Sequence, residues 1–96
     1  MIYDLAFLDE ALKEWRRLDN ATREQFKAKL TERLQNPKVP SARLHNAKER
    51  YKIKLRNAGY RLVYQVKDGE LLVLIVAVGK RERNEVYKAA ERRKVE

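Results

Sequence analysis

Apolar side chains change their spacing along this chain, and each change marks a new kind of element. Residues 2–8 (IYDLAFL) are short, apolar and aromatic, and predict a first strand. From Leu8 onward the spacing becomes three and four. Leu8, Ala11, Leu12, Trp15 and Leu18 fall on one stripe of a helix. Asp19-Asn20 interrupts the stripe, and Asn20 or Thr22 is placed to cap a second helix. There Phe26, Leu30 and Leu34 repeat every four residues. Proline disfavours helical geometry in the residue before it, so this helix ends at Asn36-Pro37. Two amphipathic helices with a short link make a hairpin, and residues 37–48, with Pro37 and Pro40, read as a loop.

The period then drops to two. Tyr51, Ile53 and Leu55 alternate with Lys52, Lys54 and Arg56. Asn57-Ala58-Gly59 supplies a turn, after which Tyr60, Leu62, Tyr64 and Val66 alternate with Arg61, Val63, Gln65 and Lys67. Asp68-Gly69 signals a second hairpin. Leu71 to Val78 is apolar at every position, which predicts a central strand buried on both faces. Past Gly79, residues 83–94 return to helical spacing through Val86, Ala89 and Ala90. The expected architecture is α+β, in the order β-α-α-β-β-β-α. It comprises an N-terminal strand, a helical hairpin, a three-stranded antiparallel meander and a C-terminal helix.

Composition narrows the chemistry. The 96 residues, 44% of them apolar, suit one domain spanning 1–96 with one modest core. Without cysteine there is no disulfide, thiolate nucleophile or Cys-ligated zinc, and a single histidine gives no metal-ligand set. No metal or cofactor is expected. The first residues carry Asp4, Asp9 and Glu10 and no basic leader, unlike a secretory signal. The run Leu71–Val78 falls far short of the ~20 residues of a membrane helix, so a soluble cytoplasmic protein is expected, with no membrane partner.

The net charge of +9 becomes informative once it is located. Residues 50–67 hold Arg50, Lys52, Lys54, Arg56, Arg61 and Lys67 and no acid; residues 80–94 hold seven basic residues and three acids. The two segments sum to +10, leaving −1 for the rest of the chain. Clustering of this kind is the footprint of a phosphate-bearing partner, although a solvated basic surface would have the same composition.

Register sharpens the point. Burying Tyr51, Ile53 and Leu55 together with Tyr60, Leu62 and Tyr64 requires paired positions to sum to an odd number; pairing Leu55 with Tyr60 satisfies this across a four-residue loop and sets Lys54 opposite Arg61. Like charges facing each other across strands destabilise a sheet, so a fold that keeps them points to a bound anion. Arg81 and Arg83 follow the central strand, where a loop brings them to the rim of that face. Tyr87 is either a core residue or, lying beside the apolar position Val86, an aromatic presented for base stacking. His45 reads as a polar loop residue.

Cations alone suffice to cleave RNA, because the 2′-hydroxyl is an internal nucleophile. A lysine among other cations has its pKa lowered and becomes competent as a general base. Arginine stays charged and presents a fork that fits phosphate oxygens. With such weak acid–base groups, catalysis rests on positioning and charge stabilisation, which predicts poor activity on free RNA.

The stretch YKIKLRNAGYRLVYQV (51–66), followed by VGKRERNEVY (78–87), closely resembles the RelE toxins of bacteria and archaea, and FLDEALKEWRRLDNATREQFKAKL (7–30) extends the likeness over nearly the whole chain. The resemblance implies the toxin of a type II toxin–antitoxin system, a metal-independent endoribonuclease that cuts mRNA in the ribosomal A site and leaves a cyclic phosphate. It implies 70S ribosome and 16S rRNA contacts, and a cognate RelB-like antitoxin. Carried over by position, Lys52 and Lys54 match the paired catalytic lysines, with Lys54 as base. Arg61 matches the transition-state arginine, Arg81 the leaving-group residue, and Tyr87 the stacking aromatic. Arg56, Arg83, Lys80 and Arg50 are expected to contact RNA phosphate. Leu44-His45-Asn46 departs from the Leu-Arg-Gly-like pattern of relatives, which removes the basis for a phosphate contact at position 45. Two alternatives remain: a ParE-like gyrase inhibitor, whose branch lacks this basic set, and a noncatalytic RNA- or ribosome-binding protein.

Overall fold

The computed structural model describes residues 2–45 and 47–95. The elements run β1 (Asp4–Phe7), α1 (Asp9–Arg16), α2 (Asn20–Gln35), β2 (Arg50–Leu55), β3 (Tyr60–Lys67), β4 (Leu72–Lys80) and α3 (Glu85–Arg92). This is the expected α+β order. The strands form one sheet in the order β1-β4-β3-β2, with β1 parallel to β4 and the other pairs antiparallel.

The all-apolar run behaves as its composition requires. β4 is paired on both edges, and Val73 to Val78 are buried. Its two faces feed separate clusters. On one side Val73, Ile75 and Val78 join Ile53, Leu55, Leu62 and Tyr64 beneath Ala11, Phe26 and Leu30 of the helical hairpin. On the other, Val76 and Ala77 join Val63 beneath Val86 and Ala90 of α3. β3 is therefore also covered on both faces, and the strict alternation expected for it gives way at Arg61 and Val63, both buried.

Phe26 is fully buried, with its ring 6.2 Å from that of Trp15. Replacing it with alanine should cost about 3–5 kcal/mol, read from the denaturation midpoint. A cost below about 1 kcal/mol would mean that the hairpin does not hold the core as described.

Several boundaries differ from expectation, each for a local reason. β1 is shorter than 2–8 because its pairing with β4 covers only Asp4–Phe7; Leu5, on this edge strand, stays 40% exposed. The cap of α2 is Asp19, one residue before Asn20: its carboxylate accepts from the backbone N–H of Thr22, and Thr22 Oγ1 donates to it at 2.5 Å. At the second hairpin Asp68–Glu70 make a 3-10 turn, and the left-handed residue is Leu71 (φ 49°), so Gly69 does not act as the turn glycine. α3 starts at Glu85, because Arg83 and Asn84 both take left-handed backbone (φ 50° and 58°).

Beyond Phe7 the outer edge of β4 has no strand beside it, and one backbone N–H and two side chains take over its backbone groups. Leu8 N–H donates to Ile75 O (3.0 Å), Arg93 Nη1 to Val76 O (2.9 Å), and Val78 N–H to Glu14 Oε1 (3.1 Å). Arg93 also grips both Glu14 carboxylate oxygens, at 2.7 and 3.1 Å. The end of α3 is thereby tied to α1 and the sheet. No helix among the described residues is long and apolar enough to cross a membrane.

Candidate active site

β2 and β3 pair in the predicted register, with Leu55 opposite Tyr60 and Lys54 opposite Arg61. Directly opposed residues in an antiparallel pair have Cα atoms roughly 4.5–5.5 Å apart, so two like charges are held side by side by the backbone. The Asn57–Gly59 turn closes this hairpin. Gly59 takes φ +71°, and its N–H returns to Leu55 O at 2.9 Å. Gly59 O in turn accepts from Arg81 N–H at 2.7 Å, which fastens the segment after β4 to the tip of the basic hairpin.

The cationic face is the one that α3 partly covers. Arg61 is buried, and its guanidinium donates to Tyr60 O at 2.9 Å. Its partner in β4 is Gly79, where an added Cβ would stand 3.1 Å from Val86 Cγ2. A bare position there lets α3 pack closely beside Arg61. Lys54 is exposed and Lys52 half-buried. Arg33 of α2 donates to Lys52 O (3.2 Å) and to the Tyr64 hydroxyl (2.9 Å), fixing β2 from behind. Lys52, Lys54 and Tyr87 line one open cavity of about 480 Å3, together with Leu44, Asn84, Lys88 and Glu91.

The electrostatics follow from this geometry. The Lys54 ammonium is pushed below the usual lysine range, first by Lys52, then by partial desolvation, and then by Arg61, Arg56 and Arg81. No ion pair to an acid is made by any of these five residues among the described residues. A base that must be deprotonated gains rate as pH rises through its pKa. Removing Lys52, the largest source of the depression, should therefore move the rising limb of the pH–cleavage profile upward. A limb that stays in place in Lys52→Ala would disconnect the two lysines.

The remaining positions divide. Arg56 and Arg81 stand close enough to act on Lys54, and Arg83 is exposed in the turn that leads into α3. Tyr87 is half-buried: it packs against the Val63 cluster and also lines the cavity. Arg50 must be corrected. It shares the face of Lys52 and Lys54 but is 8% exposed, and each of its three guanidinium nitrogens donates inside the protein. Nε donates to Gln65 Oε1 (2.9 Å), Nη1 to Ala90 O, and Nη2 to Arg93 O (2.6 Å). Lys80 is also displaced from the expected group. It pairs with Tyr60, on the opposite parity to Arg61, and lines a separate cavity of about 600 Å3 where Glu14, Glu82 and Glu85 alternate with basic residues. Acids interleaved in this way disfavour phosphate. His45 lines a smaller cavity of about 170 Å3 with Arg50, Tyr87 and Ala90; its neighbour Asn46 lies outside the described residues. Sequence reasoning missed Glu14, Arg33 and Arg93, whose partners lie far away along the chain.

Residues 5–85 match the family model described as the ParE toxin of the type II toxin–antitoxin system parDE. The chain is 52% identical to the mRNA interferase toxin RelE of Escherichia coli K12 over 93 residues, 97% of this chain and 98% of that one. It superposes on the free E. coli toxin RelE carrying R81A/R83A with a TM-score of 0.91 at 48% identity, covering 99% of this chain and 100% of that one. It superposes on RelE from the intact E. coli RelBE toxin–antitoxin complex with a TM-score of 0.82 at 51% identity, covering 84% of this chain and 99% of that one. With the fold, the matched length and an identity near one half all in agreement, the chain belongs to the RelE/ParE family of type II toxins, as a RelE-type member.

Proposed function

We propose that this protein is a ribosome-dependent mRNA endoribonuclease, the toxin of a type II pair, acting in the cytoplasm on the A-site codon of the 70S ribosome. The observation that carries the reading is the lysine with a lowered pKa, set by register against a buried arginine and sharing a cavity with a tyrosine. The name of the E. coli relative, mRNA interferase, supports the same chemistry.

In this reading Lys54 takes the proton of the 2′-hydroxyl. The 2′-oxygen then bonds to phosphorus and the bond from phosphorus to the 5′-oxygen breaks, leaving a 2′,3′-cyclic phosphate. Arg61 neutralises the phosphorane, with Lys52 and Arg56 beside it. Arg81 stabilises or protonates the departing 5′-oxygen. Tyr87 stacks on a base and sets the nucleotide over the cations. Arg83, exposed before α3, contacts backbone phosphate or 16S rRNA. None of these groups is a strong acid or base at neutral pH, so the ribosome must supply much of the substrate's orientation. The partner that silences the toxin is a RelB-like antitoxin, as the RelBE complex of the E. coli relative suggests.

The test is primer extension on a defined mRNA, with and without programmed 70S ribosomes. Cuts inside the A-site codon that require ribosomes would support the reading. Intact mRNA together with inhibited DNA supercoiling would replace it with the gyrase-directed activity of the ParE branch. Intact mRNA with ribosome binding alone would leave a noncatalytic binding protein.

A further inference from the structure

Arg50 is a buried cation on the catalytic face that no step of the proposed chemistry uses. It sits at the first position of β2, two residues before Lys52 and with the same facing. Its guanidinium crosses to α3 and donates to the carbonyls of Ala90 and Arg93 at the helix C-terminus, where Ala90 O also accepts from the Arg93 backbone N–H at 3.1 Å. A positive charge at that end is also favoured by the helix dipole. The third nitrogen, Nε, is held by Gln65, the residue of β3 paired with Arg50. The head group is thus aimed from both sides and has little freedom.

The helix it holds carries Tyr87 less than one turn before Ala90, and Arg50 and Tyr87 line the same small cavity. Apart from Arg50, the end of α3 is anchored by Arg93, which reaches Glu14 and Val76 on the far edge of the sheet. On the side of α3 nearest Lys52 and Lys54, Arg50 adds a polar tie to the packing of Val86, Tyr87 and Ala90 on the Val63 cluster. We infer that Arg50 is a positioning residue, which clamps the C-terminal end of α3 to β2 and so holds the Tyr87 ring at the distance from Lys52 and Lys54 that cleavage requires. This rests on the RelE-type reading above, in which Tyr87 orients the nucleotide.

The test is a double-mutant cycle on ribosome-dependent cleavage, comparing wild type, Arg50→Lys, Tyr87→Ala and the pair. Lysine keeps the charge but replaces a three-pointed fork with one ammonium. Arg50→Lys should lower the single-turnover cleavage rate by about tenfold or more, because small misplacements at a reacting centre are costly. The concentration of ribosomes giving half-maximal rate should stay within about twofold, since the exposed cations that bind RNA are untouched. In the Tyr87→Ala background the same change should cost less than about twofold, because Arg50 then has no ring to position. An equal loss in both backgrounds would overturn the proposal and make Arg50 a general stabiliser. A wild-type rate for Arg50→Lys would overturn it as well. Absence of cleavage by the wild-type protein would instead defeat the RelE-type reading, and this proposal with it.

Discussion

Lys54→Ala should reduce ribosome-dependent mRNA cleavage by about 100- to 10,000-fold, the range for loss of a positioned general base. Lys54 is exposed, makes no ion pair among the described residues and faces Arg61 across the strand pair. Its removal relieves repulsion, so the melting temperature should hold or rise while activity collapses. That combination separates a functional residue from a structural one. The pH dependence carries a sign as well. The neighbouring cations lower the Lys54 pKa, so wild-type cleavage should rise with pH through a midpoint below the ordinary lysine value. The residual activity of Lys54→Ala should lack that limb. A near-wild-type rate, or a preserved limb, would move the base to another residue.

Arg81→Ala should lower the rate by about 100- to 1,000-fold with ribosome binding largely retained, the scale for losing one preorganised charge at a developing oxyanion. Its backbone N–H to Gly59 O survives the substitution, so the segment after β4 should keep its course. The effect would then belong to the guanidinium alone. Arg81→Lys should recover part of the loss, because it restores the charge without the fork. If Arg81→Ala cleaved at the wild-type rate, Arg81 would have no part in leaving-group departure. Its influence on Lys54 ranks below that of Lys52, which predicts a smaller upward movement of the pH limb than in Lys52→Ala.

Much of the molecule could be read in advance because side-chain period reports which face of an element is buried. Tyr51, Ile53 and Leu55 share a face with Tyr60, Leu62 and Tyr64 only when paired positions sum to an odd number, and with the four-residue loop this brought Lys54 to Arg61 without any knowledge of the tertiary fold. The unbroken apolar run from Leu71 placed β4 at the centre of the sheet for a similar reason: only a strand covered on both faces can be apolar at every position. The basic residues of these strands were legible as a site because their charge is concentrated while their parity is shared.

Parity gave the face of Arg50 correctly but not the fate of its guanidinium. Whether a cation on that face meets solvent or a helix end depends on where α3 lands, and Ala90 lies 40 residues further along the chain. Arg93 and Glu14, 79 residues apart, meet only because the outer edge of β4 runs past the end of β1 and leaves backbone groups to be satisfied. Lys80 shows the same limit: it lies close in sequence to Arg81, yet its register partner Tyr60 assigns it to the other parity. From the sequence alone came the order of elements, the register of the basic hairpin and the concentration of cations upon it, because these follow from local period and charge. Only the tertiary structure decided which cations remain open to a phosphate, which are used to hold a helix end, and how Tyr87 comes to stand beside Lys52 and Lys54. Those outcomes depend on distant backbone groups that burial leaves in need of partners.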